Sequence, residues 1–359
     1  MKIAILAITR GGAELGQKLC ESMEGSELYL SSRYADKSAS GSRRFEPPEL
    51  KSLFASLWKQ YDGFVLIMAT GIVVRLIAPL LLSKETDPAV VVMDDAGRFA
   101  VSLLSGHLGG ANRLAERCAA LSGASAVITT ATDANGLPSF DMLAGEHGWI
   151  IDDISRVKTL NTLLLDNKDI AIVDQSGLTS AWLGKRKWIT FYETFAEAAN
   201  SGAEGFLLVT NRQEPLQTPP EKTLILRPRN LVLGIGCNRG TPADEIAAFI
   251  DLQLGLLALS LKSVCCVASV AAKRDETGLM EYAGRLGVPL RCFESHELNQ
   301  VSFPSPPSQY AMAAVGTAGV AEPAALLASG GGRLLLNKVK SANVTLAVAE
   351  LKEGAGYAD

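Results

Sequence analysis

The chain has 359 residues, of which 48% are apolar, and its 34 basic residues nearly balance 38 acidic ones, for a net charge of −4. One domain typically takes ~100–200 residues, so two or three domains are expected. A nearly neutral chain lacks the basic excess that coats nucleic acid or an anionic membrane, and we predict neither partner. Any binding of anions must therefore depend on local features.

Uninterrupted apolar runs alternate with helical patterns in the first third of the chain. The strand candidates are KIAILAIT, GFVLIMA, AVVVMD and FAVSLL. Strands buried on both faces lack polar alternation, so these runs predict a mostly parallel sheet covered by helices on both sides. We place this doubly wound N-terminal α/β domain at residues 1–133.

The segment GFVLIMATGIVVRLIAPLLL, residues 63–82, is long enough to span a bilayer. Arg75 at its centre would cost about 2.5–3.5 kcal/mol on insertion, and Thr70-Gly71 and Pro79 interrupt it. We interpret it as a strand, a glycine turn and a helix of a soluble domain.

A small, less apolar α/β middle domain is predicted at residues 134–225, with strands at DIAIVD and GFLLVT. The proline-rich segment Glu214–Asn230 indicates a linker, because proline fixes φ and lacks a backbone donor. A second doubly wound, mostly parallel α/β domain follows at residues 226–359, starting with NLVLGIGCNRGTPADEIAAFI. The fold class is therefore α/β with three domains.

The six cysteines are scattered, form no C-x-x-C pair and lie mostly in apolar surroundings. Such spacing is typical of small buried side chains in a reduced protein, so we predict a cytoplasmic location. No cysteine or histidine pair has zinc spacing, and no protein-bound metal is predicted.

Four apolar strands are each followed by a glycine turn and a helix. In open parallel sheets ligands collect at the carboxyl ends of strands, where helix N-termini present free N–H groups and a positive dipole end. The four turns are Ala69-Thr70-Gly71, Ser105–Gly110, Gly234–Thr241 and Gly316–Gly319.

The third turn has the clearest helix-start signals, with Thr241 as N-cap, Pro242 as first helical residue and Asp244 completing a capping box. Its spacing is G-x-G-x-x-x-G, whereas dinucleotide binding requires G-x-G-x-x-G and an acidic residue after the next strand. No phosphate-binding G-x-x-x-x-G-K-[ST] loop occurs. These observations disfavour an α/β oxidoreductase or nucleotide enzyme, and no cofactor is predicted.

His107 is the strongest candidate for a proton acceptor. In the first turn of a helix the positive dipole end keeps imidazole neutral. The alternative is a histidine that only hydrogen-bonds its own turn. Structural alternatives exist elsewhere too: Arg75 as a solvated helix charge, Asp94-Asp95-Ala96-Gly97 as a β-turn, and Glu322 as a helix-start carboxylate.

Three strings together resemble one family, the cobalt-precorrin-5A hydrolases of anaerobic cobalamin biosynthesis. They are MATGIVVRLIAPLLLSKETDPAVVVMDDAGRFAVSLLSGHLGGANRLAERCA, GIGCNRGTPADEI, and VGTAGVAEPAALLASGGGRLLLNKVKSANVTLAVA. The three strings occur in the family's order, and the resemblance covers nearly the whole chain.

The resemblance implies an anionic cobalt-corrinoid substrate that carries its own metal, and transient contact with the methyltransferases of the pathway. It implies opening of a δ-lactone between the ring-A acetate and C20, with loss of C20 and its methyl group as acetaldehyde, to give cobalt-precorrin-5B. A non-catalytic rival is a corrinoid-binding or hand-over protein.

Roles for individual residues rest on the helix-terminus argument. We expect a water activated near His107 to attack the lactone carbonyl, with Arg75 or the Gly109-Gly110 N–H groups stabilising the oxyanion and Glu322 as second choice of base. Predicted substrate-binding residues are Gly71, Asp94, Arg98, Gly106, Gly109, Gly110, Asn112, Gly236, Arg239, Gly240, Thr241, Gly319 and Lys338. Arginine suits several carboxylates because its guanidinium binds them in a bidentate fork.

Overall fold

In the computed structural model, which describes residues 1–34, 41–83, 86–107, 109–130, 137, 139–213 and 218–352, the strands form three sheets. Contacts divide the chain into two units, Met1–Met142 and Leu143–Asp359. Several sequence predictions lie outside the described residues: the boundary at 133/134, Leu108 of the second turn, and positions 214–217 of the linker.

The apolar runs of the first unit form a seven-stranded sheet, counted over the described residues. Its order is β3-β2-β1-β4-β5-β6-β7, and every neighbouring pair is parallel except β5 with β6. The strands are β1 Ile3–Ala7, β2 Ser26–Ser31, β3 Arg43–Phe45, β4 Gly63–Ile67, β5 Ala89–Met93, β6 Phe99–Leu104 and β7 Ser125–Val127.

Helices cover both faces of this sheet, as the two-sided burial of its strands predicts. Ile3 and Ile5 pack on one face with Leu19, while Ala4 and Leu6 pack on the other with an aromatic cluster around Phe54. The helices of this unit are Arg10–Ser22, Leu50–Leu57, Thr70–Ile77 and Ala111–Ser122, and helix Phe140–Glu146 runs across the division at 142/143. The prediction of a doubly wound α/β domain is confirmed.

Residues 63–82 form the predicted strand, turn and helix, since β4 ends at Ile67 and the helix runs from Thr70 to Ile77. Over the described part of the chain, no helix combines the length and apolar character needed to cross a membrane.

The middle sheet has the order β10-β9-β11-β12-β8, with β8 antiparallel to β12 and the other pairs parallel. Its strands are β8 Ile150–Ile151, β9 Ile170–Asp174, β10 Ile189–Tyr192, β11 Gly205–Val209 and β12 Thr223–Arg227, and its helices are Ser155–Leu165, Leu178–Leu183 and Phe195–Ala199. The strands predicted at 169–174 and 205–210 are confirmed.

The linker predicted over Glu214–Asn230 is wrong for its second half, because β12 lies there and runs across the boundary predicted at 225/226. Three of the four prolines precede Thr223 and the fourth, Pro228, follows Arg227, so the apolar TLIL run keeps the donors that a strand needs.

The C-terminal sheet has the order β15-β14-β13-β17-β16, with β17 antiparallel to both of its neighbours. Its strands are β13 Leu231–Cys237, β14 Val264–Val270, β15 Leu290–Phe293, β16 Arg333–Lys340 and β17 Val344–Glu350. Helices Ala243–Leu256 and Thr277–Leu286 cover one face and Ser295–Asn299 and Ala321–Ala328 the other, while Gln309–Val315 lies on the surface. The predicted second α/β domain with helices on both faces is confirmed, but the expectation of a mostly parallel sheet is wrong here, because the described strands form two parallel and two antiparallel pairs.

Polar contacts join the middle sheet to the C-terminal sheet. Asp152 pairs with Arg227 at 2.9 Å and with Lys262 at 2.6 Å. Asn211 donates to Glu350 at 2.8 Å, and a β-bridge joins Arg212 to Leu259. Burial favours the neutral acid and tends to raise the pKa of Asp152. Hydrogen bonds from Lys262 and Arg227 outweigh this effect and lower the pKa, so the carboxylate stays charged at this junction.

Candidate functional site

Two helices begin side by side at the carboxyl end of the N-terminal sheet. One follows β1, with Thr9 capping the Gly12 N–H at 3.1 Å, and the other follows β4 at Thr70. The chain leaves β1 towards β2 and leaves the adjacent β4 towards β5 on the other side. This is a topological switch point, the place where open α/β sheets bind ligands.

Two exposed arginines lie at this switch point, Arg10 in the first turn of one helix and Arg75 in the other helix. The Arg75 guanidinium donates to the Gly71 carbonyl at 2.7 Å, so it folds back along its own helix. The Thr9–Gly12 turn is not among the four turns that the sequence analysis proposed for ligand binding. The pattern that identified the other four turns, a buried strand followed by glycine and a helix, was also present there.

The hairpin between β5 and β6 satisfies its own charges. The Asp94 carboxylate accepts the N–H groups of Arg98 and Phe99 and pairs with the Arg98 side chain at 3.0 Å. Partial burial tends to raise the pKa of Asp94, but the hydrogen bonds from Phe99 and Arg98 outweigh it and the pKa is lowered. The structure therefore favours the β-turn alternative for these residues over direct substrate binding.

The Ser105–Gly110 turn lies at the opposite, amino end of the same sheet. β6 runs antiparallel to β5, with Leu104 opposite Val90, and the Ser105 hydroxyl donates to the Asp87 carbonyl just before β5. A five-residue strand such as β5 spans about 15 Å. Arg75 and His107 therefore lie at opposite ends of the sheet. The sequence-based expectation that both act on one carbonyl is not supported by this topology.

His107 also precedes the helix rather than lying in its first turn, because the helix begins at Ala111 after Gly110 in the left-handed conformation. The Gly110 N–H donates to the His107 carbonyl at 3.0 Å, and the N–H groups of Ala111 and Asn112 donate to the loop at 3.1 and 3.0 Å. The first N–H groups are therefore occupied by the loop itself. The Gly110 N–H would have to leave the His107 carbonyl before it could bind a substrate oxyanion.

Packing explains the glycines and the asparagine of this loop. A side chain at Gly106 would approach the Asn112 amide oxygen at 2.7 Å, and one at Gly109 would overlap Ser105. Asn112 is buried, accepts from Ser102 Oγ at 2.6 Å and donates to Thr130 Oγ1 at 3.1 Å. These positions shape a tight loop.

His107 faces a buried carboxylate that the sequence predictions missed. Its Nδ1 lies 3.5 Å from Asp141 Oδ2, and the two side chains are only 4% and 0% exposed. A carboxylate near Nδ1 is the side-chain pairing found in hydrolytic triads, but at 3.5 Å it is longer than an N–H···O hydrogen bond. Asp141 lies in another helix, Phe140–Glu146, and no local motif joins it to His107.

At the carboxyl end of β13, helices begin on both faces of the C-terminal sheet. On one face the Gly236–Thr241 turn leads into helix Ala243–Leu256. Thr241 was predicted as N-cap, but Pro242 takes that position and the Thr241 hydroxyl donates to the Asn238 carbonyl at 2.8 Å. On the other face Val320, which follows the fourth predicted turn, lies over Gly236, and helix Ala321–Ala328 lies over Gly234.

An internal carboxylate fills the third turn. Glu276, 3% exposed, accepts the Gly240 N–H at 2.7 Å and pairs with Lys273 at 3.0 Å. Burial alone would raise the pKa of Glu276, but the Gly240 N–H and Lys273 overcome that effect and lower it. The N–H group assigned to substrate is therefore already bound to the protein.

Glu322 is 1% exposed and joins three parts of the domain. Its Oε1 accepts from Ser305 Oγ at 2.9 Å and from the Lys338 N–H at 3.0 Å, and its Oε2 accepts the Ser305 N–H at 3.3 Å. The donors around both oxygens favour a structural carboxylate over a proton acceptor. Gly319, in the same turn, packs against the Phe303 ring.

An open depression of about 670 Å³ lies beside this end of β13 and β14, lined by Arg239, Arg274, Asp275 and Met280. The nearby Cys237 is half-buried, and burial raises the pKa of its thiol despite the opposing charge of Lys273. The cysteine is therefore a neutral packing residue. Among the described residues, no cluster of three or more His, Cys, Asp or Glu side chains is arranged to hold a metal ion.

Family models match most of the chain in three consecutive segments. They are described as Cobalamin synthesis G N-terminal (residues 52–133), Cobalamin biosynthesis central region (138–228) and Cobalamin synthesis G C-terminus (231–349).

Individual relatives agree with these models. The chain is 36% identical over 353 residues to the cobalt-precorrin-5A hydrolase of Priestia megaterium, covering 96% of this chain and 94% of the relative. It is 32% identical to the enzyme of the same name from Salmonella typhimurium, covering 96% of each. Protein CobE of Sinorhizobium sp matches at 36% over 123 residues, 33% of this chain and 79% of that protein.

Proposed function

Because this chain belongs to the cobalt-precorrin-5A hydrolase family, we propose that it hydrolyses the ring-A lactone of cobalt-precorrin-5A and cleaves a carbon–carbon bond to release acetaldehyde. The 36% identity over 96% of the chain carries this conclusion. Membership makes the chain a hydrolase of cobalamin synthesis. The carbon–carbon cleavage, the cytoplasmic setting and contact with pathway methyltransferases are parts of the proposal.

The reaction begins with attack of water on the lactone carbonyl. The oxygen of the water stays on the ring-A acetate, and the alkoxide released at C20 collapses to acetaldehyde as the carbon–carbon bond between C20 and the macrocycle breaks. The electron pair of the cleaved carbon–carbon bond passes to the macrocycle. Because the macrocycle carries the cobalt, we expect this step to need no cofactor bound by the protein.

His107 is the first choice of base, because the Asp141 carboxylate 3.5 Å from Nδ1 orients the ring. Arg75, at the other end of the sheet, is reassigned from the oxyanion to a substrate carboxylate. Glu322 remains the second choice of base, although its three donors support a positioning role.

The decisive experiment incubates the purified full-length chain with cobalt-precorrin-5A in ¹⁸O-labelled water. We expect equimolar acetaldehyde, and one labelled oxygen in the corrinoid product. Binding of the corrinoid without acetaldehyde would instead establish the hand-over alternative.

Three variants distinguish the proposed roles. His107→Ala is expected to lower kcat at least 100-fold, within the range for a lost general base. Arg75→Met is expected to raise KM with kcat nearly unchanged. If His107→Ala retains activity within threefold of wild type, His107 is not the base, and Glu322→Gln tests the second choice.

A further inference from the structure

The surface helix Gln309–Val315 has an unusual composition for a helix that buries none of its side chains. Tyr310 is 74% exposed and Met312 50% exposed. Both residues contribute large adaptable apolar surface that a ligand can cover.

Hydrogen bonds fix this helix across the carboxyl end of the C-terminal sheet. Ser295 Oγ, just after β15, donates to the Val315 carbonyl at 2.6 Å, and Asn299 donates to the Gly316 carbonyl at 2.9 Å. At the other end the Ser308 N–H donates to the Ala318 carbonyl at 2.7 Å, within the fourth turn. The helix therefore begins beside the fourth turn and ends beside β15.

Cations lie near both ends of the helix. Arg274 lies 3.8 Å from Glu294, the residue before Ser295, and shares the open depression with Arg239. At the other end Lys338 Nζ contacts the Pro306 carbonyl at 3.3 Å.

The two arginines are held loosely. Both side chains are 69% exposed, and their carboxylate partners lie at long distances, 3.6 Å for Arg239 to Asp275 and 3.8 Å for Arg274 to Glu294. Exposed pairs of this kind contribute little to stability. The guanidinium groups can therefore exchange these partners for the carboxylates of a ligand at small cost.

We propose that Tyr310 and Met312, flanked by Arg239, Arg274 and Lys338, form a corrinoid platform: the apolar side chains contact one face of the macrocycle and the cations bind its peripheral carboxylates. This assignment rests on the proposed function and adds Arg274, Tyr310 and Met312 to the predicted site. An apolar surface edged by cations matches a flat ring rimmed with carboxylates better than it matches a neutral protein partner.

The test measures binding rather than turnover, using the full-length chain and two probes, cobyrinic acid and its fully methylated neutral ester, by isothermal titration calorimetry. Arg239→Met and Arg274→Met should each weaken the acid about tenfold and leave the ester within twofold, since only the acid offers carboxylates. The double variant Tyr310→Ala/Met312→Ala should weaken both probes about tenfold.

Matched controls come from the same domain. Arg333 is 72% exposed and pairs with Glu350 at the opposite end of the sheet, and Leu256 is 73% exposed on another helix. Arg333→Met and Leu256→Ala should bind both probes as wild type does.

Three results would overturn the platform: arginine variants that bind the acid within twofold of wild type, equal losses in the Arg333 control, or platform variants that alter only the oligomeric state. The proposed function has a separate readout, because acetaldehyde release by the wild-type chain succeeds or fails whatever the titrations show.

Discussion

Replacing Glu276 by glutamine tests how the third turn is held. The carboxylate accepts the Gly240 N–H at 2.7 Å and pairs with Lys273, whose side chain is 13% exposed. In Glu276→Gln the amide oxygen can still accept from Gly240, but that bond loses its charge and Lys273 loses its carboxylate partner.

The expected loss follows from these two contacts. A charge-assisted hydrogen bond contributes about 1.5–3 kcal/mol against about 0.5–1.5 for a neutral one, and the poorly solvated ammonium adds a further penalty. We expect the free energy of unfolding of the C-terminal unit to fall by about 2–4 kcal/mol. For a unit of this size the melting temperature should drop by about 5–10 °C.

The pH dependence has a definite sign. The pKa of Glu276 in the folded chain lies below its ordinary value of 4.5, so the unfolded chain binds the proton more tightly. The stabilisation is fully present above that ordinary value and is lost as the pH falls through the lowered pKa. The gap between wild type and Glu276→Gln should be constant from neutral pH to about pH 6 and should close in acid.

Circular dichroism melts across this pH range, with Glu281→Gln as control, measure the effect. Glu281 is 52% exposed in its pair with Arg285, so its replacement should change stability by less than about 0.5 kcal/mol. A Glu276→Gln protein that melts within a degree of wild type at neutral pH would refute the reasoning. So would a gap that persists unchanged in acid.

Two further predictions concern glycine packing and the buried histidine. Gly234→Ala should lower the free energy of unfolding by at least about 3 kcal/mol, or prevent soluble expression, because its Cβ would overlap the Ala321 carbonyl. Gly236→Ala should lower it by less than about 1 kcal/mol, because its Cβ would lie 3.6 Å from the nearest neighbour. Urea denaturation of the two variants measures the difference. Asp141→Asn should lower kcat about 100-fold with KM unchanged, and adding it to His107→Ala should cause no further loss, as expected for groups that act as a unit. If Asp141→Asn turns over substrate as wild type does, Asp141 has a packing role only. If the two glycine variants lose similar amounts of unfolding free energy, the overlap argument for Gly234 is contradicted.

The fold was largely predictable because burial on both faces of a strand is recorded in its composition. Uninterrupted apolar runs such as GFVLIMA and LVLGIGC favour strands of a covered sheet, and both are central strands. The strand at Thr223–Arg227 was missed because its neighbouring prolines were given more weight than its own apolar residues.

The candidate site was less predictable because its geometry depends on strand direction and on distant pairs. The Asp94–Gly97 β-turn was recognised, yet its consequence, a reversed β6 that takes His107 to the amino end of the sheet, was not drawn from it. The buried partners Asp141 and Glu276 were unpredictable in a stronger sense. Both come from other elements, and no local pattern records which histidine or glycine turn they face.

The junction centred on Asp152 has a consequence for dissecting this chain. A fragment starting at Asn230 would lose both acceptors of the Lys262 ammonium on Asp152, and the Asn211 amide that donates to Glu350. The backbone of Leu259 would also lose its β-bridge to Arg212. The last third should therefore express less well by itself than when residues 143–229 accompany it, because these polar contacts of Lys262 and Glu350 come only from that segment.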